Sequence, residues 1–327
     1  MKKAFLTAGA MAAVLGVVVV THQPIPSLAA DQPVIPLIVK DTTSFYWQIV
    51  FAGGRAAAKE FNVKVPELGA QSESDINGQI SILENAVAEN PAAIVISPTQ
   101  FKALGKPVDE AATKVKMIGI DSAADTTAWT SFLTTDNVKG GSAAADALAE
   151  GIMAKTGKVE GEVALITSLP GVGSLDQRDK GFLDTIAAKY PGLKLVAHKV
   201  ADGQATTGLN IMTDLITANP DLKGVFADNL IMNQGCSQAI SENKAQDKIS
   251  LVGFDSDDKT VKALADGVVY ALIIQDPFRM GHDGVKIALD ASQGKEVPKN
   301  VDTGVTAITR ANMNTPRSME LLSPKLN

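Results

Sequence analysis

Ser250–Asp255 reads Ser-Leu-Val-Gly-Phe-Asp (SLVGFD), and Asp257 and Asp258 just beyond it read as the solvated start of a helix. A short apolar run of strand type, stopped by a polar side chain and followed by a helix, is the repeating unit of a parallel sheet. Six further runs end in the same way: Val34–Val39, Ala93–Ile96, Lys116–Ile120, Glu162–Thr167, Gly224–Ala227 and Val269–Ile274. The residues that stop the seven runs are Lys40, Ser97, Asp121, Ser168, Asp228 with Asn229, Asp255 and Gln275. The pattern predicts an α/β protein with doubly wound parallel sheets. Ligands of such sheets sit in the crevice beyond the carboxyl ends of the strands, so these stop residues are the first candidates for a binding site.

The intervening segments carry helical spacing. Phe45–Phe61 places Val50, Ala57 and Phe61 on one face, Ser74–Glu89 does the same with Ile76, Ile80, Leu83 and Val87, and Val138–Lys155 is an Ala-rich helix. Asn90-Pro91 and Asn219-Pro220 each fall between a helix and the next strand, where the residue before proline is steered away from helical geometry. This shared order in the two halves hints at two similar lobes. A length of 327 residues suits two domains, and no low-complexity tether separates them.

Residues 1–30 have the layout of a secretory signal peptide: Lys2 and Lys3, an uncharged stretch from Ala4 to Val20, then the small residues Ser27 to Ala30 with cleavage expected after Ala29 or Ala30. A mature, soluble, periplasmic protein is the expectation. Cys236 is the only cysteine, so no intramolecular disulfide is available and stability must come from burial. Loss of Lys2 and Lys3 takes the basic count from 30 to 28 against 36 acids, and the formal charge from −6 to −8. An acidic chain without a basic stretch argues against nucleic acid and against anionic membrane surfaces.

Catalytic chemistry has little to work with. Beyond the signal peptide the histidines are His198 and His282, neither with a metal-ligand partner at helix or hairpin spacing, and no Gly-x-Ser-x-Gly elbow or Walker A loop is present. Gly171-Val172-Gly173 follows a strand, but Asp176 stands where a dinucleotide fingerprint needs its third glycine. Asp255, Asp257 and Asp258 resemble a calcium loop, yet Thr260 and Asp266 occupy the positions that need Gly and Glu. No cofactor and no metal are expected.

Six segments in order carry a family resemblance: Leu37–Trp47 (LIVKDTTSFYW), Gly119–Gly141 (with TTDNVKGG), Arg178–Phe182 (RDKGF), Val225–Asn229 (VFADN), Leu251–Asp255 (LVGFD) and Gln275–Pro277 (QDP). Together they resemble the ribose- and allose-binding proteins of bacterial ABC transporters, the type I periplasmic binding proteins. The resemblance implies two lobes joined by a three-segment hinge at Thr135-Asp136, Gln275-Asp276 and about Thr303-Gly304. The N-terminal lobe would then comprise 31–135 plus 276–303, and the C-terminal lobe 136–275 plus 304–327. It implies sugar contacts at Lys40, Ser44, Tyr46, Trp47, Asp121, Arg178, Asn229, Asp255 and Gln275, largely the residues that the strand pattern had already singled out.

Those side chains suit a polyhydroxylated guest, since a hydroxyl both donates and accepts and charged partners make the stronger hydrogen bonds. Asp121 and Asp255 accept, Lys40 and Arg178 donate, Asn229 and Gln275 do both, and Tyr46 and Trp47 offer rings to C–H faces. Plainer roles remain open: helix capping for Asp121 and Asp255, a solvated place for Arg178, a core position for Trp47. The chain departs from the ribose proteins at Ser122, where they have Arg, at Gly203, where many have an aromatic residue, and at Leu230, which replaces an acid. These departures count against ribose itself, and another aldose or an acyclic sugar alcohol such as a pentitol or hexitol fits at least as well. The implied mechanism is lobe closure over a small neutral sugar or polyol followed by delivery to an ABC permease in the inner membrane. A second reading, presentation of a sugar or an autoinducer-2-like furanose to a chemoreceptor, shares every residue. A third, a carbohydrate-cleaving enzyme using Asp121 and Asp255, needs them to flank a glycosidic bond.

Overall fold

A computed structural model describes residues 1–4, 32–324 and 326. Apart from Met1–Ala4, the signal peptide expected over 1–30 lies outside these. In chain order the elements are β1 (Leu37–Asp41), α1 (Phe45–Phe61), β2 (Glu67–Ala70), α2 (Ile76–Ala88), β3 (Ile94–Ile96), α3 (Phe101–Ala112), β4 (Met117–Ile120) and β5 (Ser131–Thr134). There follow α4 (Asn137–Thr156), β6 (Gly161–Thr167), α5 (Gly173–Lys189), β7 (Leu193–Val200), α6 (Ala205–Ala218), β8 (Leu222–Ala227), α7 (Leu230–Glu242), β9 (Ser250–Phe254), α8 (Asp258–Asp266) and β10 (Ala271–Ile274). The chain closes with α9 (Pro277–Ser292), β11 (Asn300–Asp302), β12 (Thr306–Thr309) and α10 (Pro316–Leu322).

The strands form two six-stranded sheets, ordered β11-β5-β4-β3-β1-β2 and β12-β10-β9-β8-β6-β7. Each contains the doubly wound order 2-1-3-4-5, with the direction of winding reversing beside β1 in one sheet and beside β6 in the other. Pairing is parallel throughout, with one exception: β12 runs antiparallel to β10, Ala271 facing Thr309 and Ile274 facing Thr306. The central strands bury every side chain, as strands covered by helices on both faces must. α1 and α9 cover one face of the first sheet and α2 and α3 the other. α4 and α5 cover one face of the second sheet, and α6, α7, α8 and α10 the opposite face, where Cys236 is buried.

Two helix pairs meet through reciprocal glycines. A Cβ on Gly53 of α1 would lie 2.0 Å from the Phe278 carbonyl oxygen, and one on Gly281 of α9 would lie 1.9 Å from that of Val50. Likewise Gly141 of α4 faces the Arg178 carbonyl oxygen at 1.9 Å and Gly181 of α5 faces that of Val138 at 2.0 Å. Only glycine lets these backbones approach so closely.

The strand boundaries expected at Lys40 need correction. β1 continues through Lys40 and Asp41, and its register with β2 shifts between Val39 and Asp41. An irregularity there re-aims a side chain at the end of a strand, which is where Lys40 sits. β2 was not foreseen: it is a half-exposed edge strand of four residues without an apolar run. The helix stops at Asn90-Pro91 and Asn219-Pro220 hold, with α2 ending at Ala88 and α6 at Ala218.

Candidate ligand-binding cleft

The carboxyl ends of the two sheets face a common cavity. Its lining includes Lys40, Ser44, Tyr46, Trp47 and Asp121 from the first sheet and its helices, and Arg178, Asn229, Asp255 and Gln275 from the second. All nine residues singled out in the sequence therefore meet in one place. Ser97, Ser168 and Asp228 stop strands too, but lie behind the lining.

Asp121 ends β4 with a left-handed backbone, φ 60°, a conformation that Asp tolerates better than most residues. Its carboxylate takes Lys40 Nζ at 2.9 Å, Ser97 Oγ at 3.0 Å and the Tyr46 hydroxyl at 3.0 Å. Burial pushes its carboxyl up, but Lys40 and Arg178 and the bonds from Lys40 and Ser97 more than offset this and hold it below the usual carboxylate range. Neither Asp121 nor Asp255 caps a helix; α8 is capped by Asp257, in a reciprocal box with Thr260. Lys40, 4% exposed, also donates to Ser122 Oγ at 2.7 Å and stands 5.5 Å above the Trp47 ring.

Arg178 is 2% exposed and fixed on three sides. Nε donates to Asn137 Oδ1 and Nη1 to the Asp228 carbonyl, both at 2.9 Å, while the guanidinium lies 3.7 Å from the centre of the Phe254 ring. The solvated alternative for Arg178 is thereby excluded. Asp255 receives two bonds from Gln275 Nε2, at 3.2 and 3.0 Å, and has Arg178 Nη1 at 4.0 Å. Burial dominates there, with Arg178 and Gln275 only partly offsetting it, and the carboxyl is pushed up to about 6. Gln275 Oε1 is buried and receives no hydrogen bond from a described residue. Asn229 caps α7 through Oδ1, which accepts the Met232 N–H at 2.9 Å, and so keeps its amide nitrogen for the cavity.

Tyr46 and Trp47 meet edge to face at 4.8 Å between ring centres. Both are buried and both line the cavity, so Trp47 is at once a core residue and part of the wall. The indole Nε1 donates to Glu73 Oε1 at 2.7 Å.

Sequence reasoning missed Glu73, Ser174, Leu175 and Ile231 of the lining. Glu73 follows the unforeseen β2, so nothing marked it as a strand-end residue. Leu230, noted only as a departure, also lines the cavity and belongs to the same core cluster as Tyr46 and Trp47. Two contacts bridge the sheets beside the cavity: Ser122 Oγ donates to Ser174 Oγ at 2.7 Å, and the Phe101 N–H donates to the Gly171 carbonyl at 2.9 Å. No group of residues able to hold a metal ion occurs among those described.

A cavity at the carboxyl ends of two facing sheets agrees with a match between residues 35–296 and the family model described as periplasmic binding protein domain. The chain belongs to that family. Among the relatives of this periplasmic binding protein is the ribose import binding protein of Bacillus subtilis, 31% identical over 245 residues that make up 75% of this chain and 76% of the relative. A solved carbohydrate transporter solute-binding protein from Agrobacterium radiobacter, in complex with D-arabinose, is 65% identical. It superposes with a TM-score of 0.89, over 90% of this chain and 100% of that one. An ABC transporter solute-binding protein from Agrobacterium vitis with bound D-fucose is 33% identical with a TM-score of 0.84, over 88% and 99% of the two chains.

Proposed function

We propose that this periplasmic binding protein captures a neutral monosaccharide or sugar alcohol between two lobes and delivers it to an ABC permease, without catalysing a reaction. The observation that carries this reading is the convergence of Lys40, Ser44, Tyr46, Trp47, Asp121, Arg178, Asn229, Asp255 and Gln275 on one cavity. Such a lining offers acceptors, donors and aromatic rings together, which is what a hydroxylated ring with apolar C–H faces requires. Micromolar binding needs about 8 kcal/mol net, within reach of several charge-assisted hydrogen bonds at about 1.5–3 kcal/mol each, less the cost of immobilisation. The complex of the 65% identical protein with D-arabinose favours a pentose.

The lobes are read as 31–135 plus 276–303 and 136–275 plus 304–327, hinged at three crossovers. Support comes from the chain at those points: Asp136 and Asp276 cap the helices that follow, and Thr135 Oγ1 donates to the Gly304 carbonyl at 3.2 Å. A ligand that touches both lobes binds the closed arrangement better and shifts the population toward it. Export to the periplasm is part of this reading.

Isothermal titration of the purified protein with D-arabinose, D-fucose, D-ribose, D-allose and pentitols tests it. Saturable heat with at least one of them, and no turnover of any glycoside, is expected. Absence of heat with the whole panel overturns it.

A further inference from the structure

Glu73 lies in the loop between β2 and α2, held there by its carbonyl oxygen, which accepts the Thr99 hydroxyl, and by the indole N–H of Trp47 on Oε1. Its other carboxylate oxygen, Oε2, is bonded by no described residue. Three acids line the cavity, and two of them face a cation: Asp121 has Lys40 at 2.9 Å and Asp255 has Arg178 at 4.0 Å. Among the described residues, no basic side chain lies within ion-pair distance of Glu73. It also lines the adjoining outer cleft, together with Ser44 and Ile231, and there meets Gln71, Gly203 and Gln204. Glu73 thus stands where the inner chamber opens outward, on the side that Gly203 leaves without a side chain.

We propose that Glu73 is a specificity-determining residue, whose Oε2 accepts a hydroxyl of the bound sugar at the mouth of the cavity while Oε1 positions Trp47 beneath the sugar ring. The inference rests on the sugar-binding reading and deepens it. An acceptor-only group at the mouth selects for a hydroxyl there, against a deoxy position, and repels a ligand carboxylate. Burial pushes the Glu73 carboxyl up and Lys40 draws it down, so a donor arriving with the ligand favours the ionised form.

Glu73→Gln separates selection from positioning, because the amide oxygen still accepts the Trp47 N–H. D-Arabinose, its monodeoxy derivatives and D-arabinonate are titrated into wild type, Glu73→Gln and Glu73→Ala, with Trp47 packing followed by near-ultraviolet circular dichroism. The expected result is an aromatic signature retained in Glu73→Gln, with D-arabinose bound about tenfold more weakly than by wild type. That ratio should fall to about one for a single monodeoxy derivative, and D-arabinonate should bind Glu73→Gln better than wild type. Equal ratios for every derivative, or no change in either variant, overturn the inference while leaving the sugar-binding reading intact. Wild type that binds no sugar overturns both.

Discussion

Asp121 and Asp255 occupy matching positions in the two sheets: each ends a central strand with φ 60° and donates its backbone N–H, at 2.9 Å, to the next strand, to Leu133 in one case and Ile273 in the other. Equivalent backbones carry carboxylates in opposite electrostatic states. Asp121 accepts from Lys40, Ser97 and Tyr46, whereas Asp255 has the amide of Gln275 and an arginine at the limit of ion-pair distance. Both line the cavity; Asp121 also anchors the buried Lys40, and Asp255 has fewer partners of its own.

Replacing each by Asn should separate these roles. Asp121→Asn leaves Lys40 buried without its counter-charge and should destabilise the unliganded protein by about 3–5 kcal/mol, read in urea unfolding. Asp255→Asn removes a charge that burial disfavours, so the unliganded protein should unfold no earlier at pH 7. Sugar affinity should nonetheless drop by about 10- to 100-fold, the value of one hydrogen bond to a charged group at about 1.5–3 kcal/mol.

The Asp255 carboxyl, pushed up to about 6 from an ordinary 3.8, gives two pH effects of opposite sign. Because the folded protein binds this proton more tightly than the unfolded chain, the Asp255 contribution to stability is full below pH 3.8 and is lost as pH rises through about 6. A sugar hydroxyl that donates to the ionised form reverses the preference. Affinity should be flat above pH 7 and fall below about 6, by up to tenfold per unit, and Asp255→Asn should abolish that slope in titrations between pH 5 and 8.

Ser174→Ala removes the side-chain bridge to Ser122. Loss of one neutral hydrogen bond, about 1 kcal/mol, should open the unliganded protein, raising its radius of gyration in X-ray scattering and weakening sugar binding several-fold. Urea stability should change little.

Gly141→Ala places a methyl group 1.9 Å from the carbonyl oxygen of Arg178. α4 and α5 must then separate, at about 1–3 kcal/mol or more, and Arg178 moves with its helix. Reduced thermal stability together with weakened sugar binding is expected, measured by calorimetry and titration.

Much of this architecture is legible in the sequence because central parallel strands are apolar on both faces and end abruptly: Ser250–Phe254 and Glu162–Thr167 show it, and α1 spans Phe45–Phe61 as its spacing indicates. Edge strands lack that signal. β2 has only one fully buried residue and β12 pairs on one side only, so neither the four-residue strand before Glu73 nor the antiparallel direction of β12 can be read from periodicity. Cavity-lining residues that are polar and stop a strand stand out, as Asp121 and Gln275 do. Leu230, Leu175 and Ile231 do not, because an apolar wall and an apolar core use the same side chains.

The strands β11 and β12 lie three residues apart yet join different sheets. The first sheet gains its outer strand, and the helix α9 that locks onto α1 through Gly53 and Gly281, only from residues 277–302. Neither sheet is built from one continuous stretch of chain, so the first sheet cannot be completed until most of the polypeptide has been made. Its completion waits on contacts of very large sequence separation, the slowest kind to form. The long interval before they form is when an incomplete first sheet is open to chaperones and to misassociation.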